Sequence, residues 1–173
     1  MTTADDYVIR RPTRSDTVPF STLHAHIWRV TYRGLMEDRL LDALEPSSFA
    51  ATWMAVGNGY DEGTIPDDGR GFWVATLADE PVGFIFFGTG RDEDPPTARQ
   101  LYSLNVHPDH HGLGIAQRLL DEGFGPGEAY LWVAKGNDRA IRFYERNGFV
   151  RDGTESADQH DGVVEVRMVR SGT

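Results

Sequence analysis

Residues 107–120, HPDHHGLGIAQRLL, place one proline, three histidines and two glycines directly before a helical pattern. The β-rich segment QLYSLNV (100–106) precedes this stretch, and AYLWVA (129–134) follows it. This order predicts a strand, a helix over about 112–123, and a second strand. Because the glycines stand where the helix begins, the backbone N–H groups of its first turn lie open to an anion such as a phosphate.

Two common nucleotide-binding patterns do not fit this turn. A P-loop needs Lys followed by Ser or Thr at the helix start, where this chain has GIAQR (114–118). A dinucleotide-binding GxGxxG needs a third glycine, and Gln117 stands in its place. The pattern Q/R-x-x-G-x-G/A does fit, with Gly114 fixed and Ala116 last; His111 in the first place is its one departure.

The remaining β-rich segments predict further strands. Residues 72–77 and 82–90 are separated by four turn-forming residues, which predicts a hairpin. Other short strands are predicted at 7–10, 149–153 and 163–170, with a polar loop at 154–161 between the last two.

Helices are predicted where apolar residues recur every three or four positions. The first, from about 17 to 33, has Asp16 as its N-cap and an apolar face made of Phe20, Leu23, Ile27 and Val30. A short helix is predicted within 36–44, and the next begins after Pro46 and ends at the GNG of 57–59. The last spans 137–147, with Asn137 as N-cap and Gly148 as its C-terminal stop.

Composition excludes several classes of function. The 173 residues suit one domain, 1–173, and the absence of cysteine excludes disulfides, thiolate metal sites and a cysteine nucleophile. A net charge of −10 argues against nucleic acid, whose binding depends on Lys and Arg. No apolar run approaches the roughly 20 residues that a bilayer demands, and the N-terminus lacks a signal-peptide pattern, so we expect a cytoplasmic protein without a membrane partner.

The histidines of the glycine-rich turn are metal-ligand types, but their arrangement does not favour a metal. His107, His110 and His111 crowd one turn, and no carboxylate follows at a helical ligand spacing such as HExxH. We therefore expect no metal, and a role for His111 beside a phosphate.

The segments LYSLNVHPDHHGLGIAQRLL (101–120) and NDRAIRFYERNGF (137–149) together resemble the GNAT family of N-acetyltransferases. The resemblance implies an α/β fold with a mixed, mostly antiparallel sheet of six to seven strands and about four helices. It further implies a splay between the fourth and fifth strands, where acetyl-CoA binds as co-substrate. The implied reaction is direct transfer of the acetyl group to the primary amine of a small molecule, in a ternary complex.

The resemblance also implies which residues hold acetyl-CoA. The pantothenate arm would hydrogen-bond, like an added strand, to the main chain of Leu104, Asn105 and Val106. Asn137 would contact the cofactor near its thioester. The diphosphate would rest on the backbone amides of the turn: His111, Gly112, Leu113, Gly114, Ile115 and Ala116.

One phosphate contact common in the family is missing, because Leu113 stands where many relatives carry Arg or Lys. Candidates for the 3′-phosphate are Arg118, Lys135 and Arg142, although each of these charges could equally be solvated.

By the same resemblance, Tyr144 would protonate the departing thiolate. A phenol has a reference pKa of about 10 and stays protonated at neutral pH. Packing against Ile141 on the same helical face is the alternative role for Tyr144. The base is less clear, because Gln100 stands where relatives commonly carry Glu. A water chain, an amine that arrives neutral, or one of His24, His26 and Glu37 could replace that carboxylate.

Aromatic residues are the candidates for the wall of the acceptor site. Trp28 and Tyr32 lie one helical turn apart and are predicted to bind the acceptor. Trp53 and Tyr60 could join them, although core packing is the expected role of Trp53. The acidic segments YDEG (60–63) and RDEDPP (91–96) would suit a cationic amine beside this wall.

Two other functions stay open at this point. An acyl-CoA-binding sensor would have the phosphate-binding turn but would catalyse no reaction. Gln100, in the place of the usual Glu, is consistent with this alternative. A protein N-terminal or lysine acetyltransferase would need an open groove instead of an aromatic pocket. Relatives are often dimers, so a homodimer is also open by analogy.

Overall fold

The computed structural model describes residues 3–66, 68–157 and 162–172. Its strands are β1 Tyr7–Arg10, β2 Gly71–Leu77, β3 Glu80–Thr89, β4 Arg99–Val106, β5 Ala129–Ala134, β6 Val150–Ala157 and β7 Val164–Arg170. Its helices are α1 Thr17–Thr31, α2 Asp38–Asp42, α3 Ser47–Asp61, α4 Ile115–Arg118 and α5 Asp138–Arg146. A wider helical segment, Leu119–Phe124, continues α4.

All seven strands form one sheet, in the order β1-β2-β3-β4-β5-β7-β6. Every pair is antiparallel except β4 and β5, which are parallel and joined by the predicted helix crossover. The predicted mixed α/β sheet is therefore confirmed, at the upper end of the expected strand number. Among the described residues, no helix is both long and apolar enough to cross a bilayer.

The two faces of the sheet have separate apolar cores. Helices α1 and α3 cover one face, which we call the α1/α3 face, with a cluster of Phe20, Leu23, Ile27, Trp53, Val74, Phe84 and Phe86. Helices α4 and α5 cover the other face, where Ile115, Leu119, Ile141 and Tyr144 pack on Ile85, Leu131 and Val133. Val30, predicted to share the buried face of α1, is 49% exposed and is not part of this cluster.

Strands β4 and β5 separate almost at once. They pair only at Gln100 with Tyr130 and at Leu101 with Leu131. A β-bulge opposite Phe86 and Phe87 adds Tyr102 to β4, and bulges bend the strand that carries them. From Tyr102 onward β4 has no partner on its β5 side, which produces the splay that the sequence predicted.

The third helix does not end at the GNG of 57–59, as predicted, but continues to Asp61. A β-carbon at Gly57 would overlap the carbonyl group of Thr13, and one at Gly59 would lie 2.6 Å from the Ile65 side chain. These glycines therefore serve close packing inside the helix, which a sequence pattern cannot distinguish from a helix stop. Strand β6 likewise extends into the predicted loop as far as Ala157, and 158–161 lie outside the described residues.

Asp16 occupies the N-cap position of α1 but makes no capping hydrogen bond. Its buried carboxylate instead accepts two bonds from Arg10, at 2.7 and 2.8 Å, and one from the Thr13 amide at 2.7 Å. Burial alone would raise the pKa of Asp16, but these bonds outweigh it and hold the pKa below its ordinary value. The pair joins β1 to the start of α1.

We expect Asp16→Asn to lower the free energy of unfolding by about 2 kcal/mol, because the substitution leaves Arg10 without a charged partner. Since the pKa of Asp16 is lowered in the folded state, its contribution is present above pH 4 and is lost as the pH falls further. Urea unfolding at pH 7 measures the loss. Asp42→Asn, which breaks an exposed pair with Arg33, is the control and should cost under about 0.5 kcal/mol.

Candidate active site

The splay between β4 and β5 opens into a cavity of about 1110 Å³. Its walls come from α1 and α3 on one side, from the separated strands β4 and β5, and from the turn before α4 and the length of α5 on the other. This volume is slightly above the usual range for small-molecule sites, roughly 300 to 1,000 Å³. The cavity is therefore large enough for a long ligand together with a second, smaller one.

The glycine-rich turn lines one end of this cavity. Gly112 and Gly114 have φ values of +79° and +83°, and a β-carbon on Gly112 would meet no atom within 4 Å. Among the described residues, none accepts a hydrogen bond from the backbone N–H groups of 112–117. The His111 amide is the exception in the predicted set, because it donates to the Pro108 carbonyl at 3.1 Å.

The ring of His111 takes part in the turn although its amide does not. Its Nε2 lies 2.8 Å from the Val106 carbonyl, and its Nδ1 contacts the Arg139 guanidinium. Burial lowers the pKa of Arg139. Of the predicted set, the five backbone amides of 112–116 are therefore open, and the Arg139 guanidinium lies beside the turn.

The free edge of β4 alternates in direction. The His107 amide donates to Val82 on β3, so Val106 and Leu104 direct their main-chain groups away from β3 and into the splay, whereas Asn105 faces β3. The Asn105 side chain nevertheless lines the cavity and donates to Ser103 Oγ at 2.5 Å. Leu104 and Val106 therefore offer the strand-like hydrogen-bonding edge.

Asn137 is the N-cap of α5, as predicted. Its Oδ1 accepts from the Ala140 amide at 3.2 Å, and its backbone amide donates to the Ala134 carbonyl at 2.9 Å. Capping uses the side-chain oxygen only, so the amide nitrogen remains available on the cavity wall.

Tyr144 is 7% exposed and also lines the cavity. Burial, and to a lesser degree the neighbouring Tyr32 hydroxyl, raises the pKa of Tyr144 well above its ordinary value. The phenol is therefore protonated throughout the neutral range. Its ring packs against Phe143 and Phe149, so the side chain is held in place by aromatic contacts.

Trp28 and Tyr32 lie together, with ring centroids 5.1 Å apart, and both line the cavity. Trp53 is fully buried beneath them in the core, as expected. Tyr60 does not reach the cavity: its hydroxyl accepts from the Phe72 amide and from Arg11 on the far side of α3. The wall thus consists of Trp28, Tyr32 and residues that the sequence did not single out, among them Met36, Phe72, Phe86 and Tyr102.

His24 lies in this wall and is 8% exposed. The Trp53 indole N–H donates to His24 Nδ1 at 3.3 Å, and an indole nitrogen can only donate. The ring proton of neutral His24 is therefore on Nε2, and Nε2 is not a proton acceptor in this arrangement. His24 offers a hydrogen-bond donor to the acceptor side of the cavity instead of the base suggested above.

Burial lowers the pKa of His24 from 6.5 to about 4. Because the unfolded chain binds this proton more tightly, stability is full above pH 6.5 and falls as the pH drops toward 4. We expect this residue to account for about 3 kcal/mol of that loss. Thermal unfolding from pH 7 to pH 4 measures it, and His24→Gln should flatten the slope.

The other base candidates lie away from the cavity. The Oε1 of Gln100, 7% exposed, accepts from Tyr130 and from the Arg91 amide, both at 2.9 Å, so Gln100 closes the apex of the splay. Glu37 pairs with Arg39 on the surface, and His26 stacks on His107. Among the described residues lining the cavity, Glu165 carries the only carboxylate; its register partner on β5 is Ala134.

The predicted phosphate-binding cations are mostly engaged elsewhere. Arg118 binds Glu122 and the Tyr7 carbonyl, and Lys135 pairs with Glu155 at 2.7 Å. Arg142 is exposed and does not line the cavity. Arg139 and Arg146 do, and they share a helical stripe with Phe143 because these positions are spaced by four and three. That spacing was visible in the sequence.

The histidines of the turn form a stacked cluster of their own. His26 and His107 stack at 4.8 Å, and His110 accepts or donates a bond with the Tyr7 hydroxyl at 2.8 Å. Burial, and then the neighbouring His26, lowers the pKa of His107. In the described part of the chain, no three His, Asp or Glu side chains are placed to hold a metal ion.

Comparisons with known proteins agree with this geometry. Residues 68–151 match the family model of the acetyltransferase (GNAT) domain. A probable N-acetyltransferase of Mycobacterium tuberculosis is 28% identical over 148 residues, which cover 84% of this chain and 80% of that protein. A mycothiol acetyltransferase of Geodermatophilus obscurus is 31% identical over 96 residues, which cover 51% of this chain and only 31% of that longer protein.

The fold has been seen before in solved structures. The PaiA N-acetyltransferase of Thermoplasma acidophilum, crystallised with coenzyme A, superimposes with a TM-score of 0.67 at 19% identity, over 92% of this chain and 97% of that one. The splayed sheet, the open amides and the cavity agree with the acyltransferase class that the family match and the relatives indicate. Residues 68–151 of this chain thus carry the acetyltransferase domain of the GNAT family, whose co-substrate is acetyl-CoA.

Proposed function

We propose that residues 1–173 form one N-acetyltransferase domain that moves the acetyl group of acetyl-CoA directly to the primary amine of a small molecule, in a ternary complex. The observation that carries this proposal is one continuous cavity with open backbone amides at one end and an aromatic wall at the other. Such a cavity can hold both substrates side by side. No cysteine is present to form an acyl-enzyme.

The residues fit acetyl-CoA without rearrangement. The space above Gly112 is open, and the amides of 112–116, which no described residue accepts from, lie at the positive end of a helix. Arg139 and Arg146 also line the cavity. They would supply the positive charge that is missing at position 113, where this chain has Leu in place of Arg or Lys. Leu104 and Val106 offer the free edge for the pantothenate amides, and Asn137 offers its side-chain nitrogen nearer the reacting end.

Acetyl-CoA supplies the thioester that the amine attacks. The chain's own contribution is orientation, worth roughly 7 to 11 kcal/mol when two reactants are aligned, and proton transfer. Tyr144, kept protonated by burial, donates its proton to the leaving sulfur. Glu165, on the cavity wall, takes the proton of the acceptor amine directly or through water.

The experiment is release of free thiol from acetyl-CoA with a panel of polyamines, aminoglycosides, amino acids and peptides. Turnover with a small amine supports the proposal. Binding of acetyl-CoA without thiol release for any amine would favour the sensor, and turnover with peptides alone would favour a protein acetyltransferase. Binding is read separately by thermal shift, because a ligand at a hundred times its dissociation constant stabilises the fold by about 2.7 kcal/mol.

A further inference from the structure

Arg91 is a cation that no protein carboxylate neutralises. Its guanidinium lies over the ring of Tyr102, 3.5 Å from the centroid, and both side chains line the cavity. Among the described residues, no Asp or Glu lies within ion-pair distance of Arg91, in a chain whose net charge is −10. A positive charge held on an aromatic face at a cavity wall is suited to an anionic ligand group.

The backbone at Arg91 is fixed. Its amide donates to Gln100 Oε1 at 2.9 Å and to the Tyr130 hydroxyl at 3.0 Å. The neighbouring Asp92 is turned away: its carboxylate accepts from the Trp132 indole at 3.1 Å and pairs with Arg167 at 3.2 Å. The nearest acid is therefore already neutralised, and Arg91 is positioned before any ligand arrives.

Arg91 lies far from the diphosphate end. Its stacking partner Tyr102 is four residues before Val106, which is about 13 Å along the strand, and the glycine-rich turn lies beyond that. The cations of the turn, Arg139 and Arg146, belong to the opposite end of the cavity. The charge of Arg91 is thus available to the acceptor.

The acidic segments that favoured a cationic amine do not supply charge here. Asp61 accepts from the Arg14 amide and Glu62 pairs with Arg14, both outside the cavity. Asp92 is neutralised as described, Glu93 and Asp94 are exposed, and none of these acids lines the cavity. Arg91 instead stacks on the aromatic ring of Tyr102, and the same cavity is lined by Trp28, Phe72 and Phe86.

From these contacts we propose that Arg91 binds a carboxylate of the acceptor, so that the substrate is an amine that also carries a carboxylate and an apolar body. This inference rests on the proposed acetyl transfer and names its acceptor class. A bidentate pair between guanidinium and carboxylate would orient the acceptor, with its apolar part against the aromatic wall. His24 Nε2 offers a further donor to the same acceptor.

The test compares L-phenylalanine with L-phenylalaninamide, which differ only in the carboxylate. We expect kcat/KM to be about tenfold higher for the free acid. The amide carries the less basic amine, so a larger fraction of it is neutral at the same pH. Amine protonation alone would therefore favour the amide, which is the opposite of the expected result. In Arg91→Met the ratio should fall to one or below, because protonation alone favours the amide, while Arg11→Met, an arginine stacked on Trp73 outside the cavity, should keep the wild-type ratio.

A wild-type enzyme that uses the amide as well as the acid, or a ratio that Arg91→Met leaves unchanged, overturns the inference. If neither amine is acetylated, the proposed function fails for these acceptors but the carboxylate site is still measured. Calorimetry with N-acetyl-L-phenylalanine and its amide, in the presence of coenzyme A, then gives the same comparison. A preference for the acid that Arg91→Met removes supports the site, and equal binding contradicts it.

Discussion

Tyr144→Phe is expected to lower the rate of acetyl transfer by about a hundredfold to a thousandfold, the usual contribution of a positioned general acid. The affinity for acetyl-CoA should change little, because phenylalanine keeps the ring and its contacts with Phe143 and Phe149. The missing hydroxyl is the group that burial and Tyr32 keep protonated. Single-turnover measurements at saturating acetyl-CoA isolate the chemical step from product release.

The pKa of Tyr144 adds a pH dependence to this prediction. Because the pKa is raised above its ordinary value of 10, the wild-type rate should show no fall due to this phenol up to pH 10. Tyr60→Phe removes a hydroxyl that lies outside the cavity and should keep the wild-type rate. A Tyr144→Phe rate within about threefold of wild type would assign Tyr144 to packing alone.

The parts of the site that the sequence predicted are those built by local contacts. The strand, glycine-rich turn and helix of 100–123 follow from residues a few positions apart, and so does the N-cap at Asn137. A positive φ at Gly114 is a property of one residue and its neighbours. Such features leave a pattern that can be recognised before any tertiary contact is known.

The parts that the sequence did not predict depend on side-chain partners in other elements of the fold. Asp16 has the residue type and position of an N-cap, yet a guanidinium six residues earlier takes its carboxylate. Gln100 stands where relatives commonly carry a catalytic Glu, which suggested that the base is missing, but its side chain accepts a hydrogen bond from Tyr130, thirty residues away. His24 suggested a base until its partner Trp53 fixed the ring proton on Nε2. In each case the side chain's chemistry is set by an interaction that periodicity does not encode.

The acceptor wall is the extreme case of this dependence. The family match covers 68–151, which includes the splay and the turn but none of α1, α2 or α3. Trp28, Tyr32 and Met36 come from that unmatched part. Arg91 lies in the matched part, but its segment reads as acidic and exposed. In the structure, Arg91 stacks on Tyr102 and the carboxylate of Asp92 pairs with Arg167, so Arg91 and its acidic neighbour do not pair with each other.

Gly112→Asp is expected to weaken acetyl-CoA binding about a hundredfold, because it places a carboxylate among the amides that we propose hold the diphosphate. The substitution is sterically mild: a β-carbon at Gly112 meets no atom within 4 Å, and aspartate tolerates a positive φ better than most residues. Calorimetric titration with acetyl-CoA gives the dissociation constant directly, without an acceptor.

Gly127→Asp is the matched control for this prediction. Gly127 also has a positive φ, of +103°, also has open space around its β-carbon position, and lies in a loop that does not line the cavity. Both variants add one negative charge at a glycine with a positive φ, so a large difference between them reports the location of the charge. If Gly112→Asp binds acetyl-CoA as well as Gly127→Asp does, the diphosphate does not rest on this turn, and the orientation of both substrates along the splay would have to be reversed or abandoned.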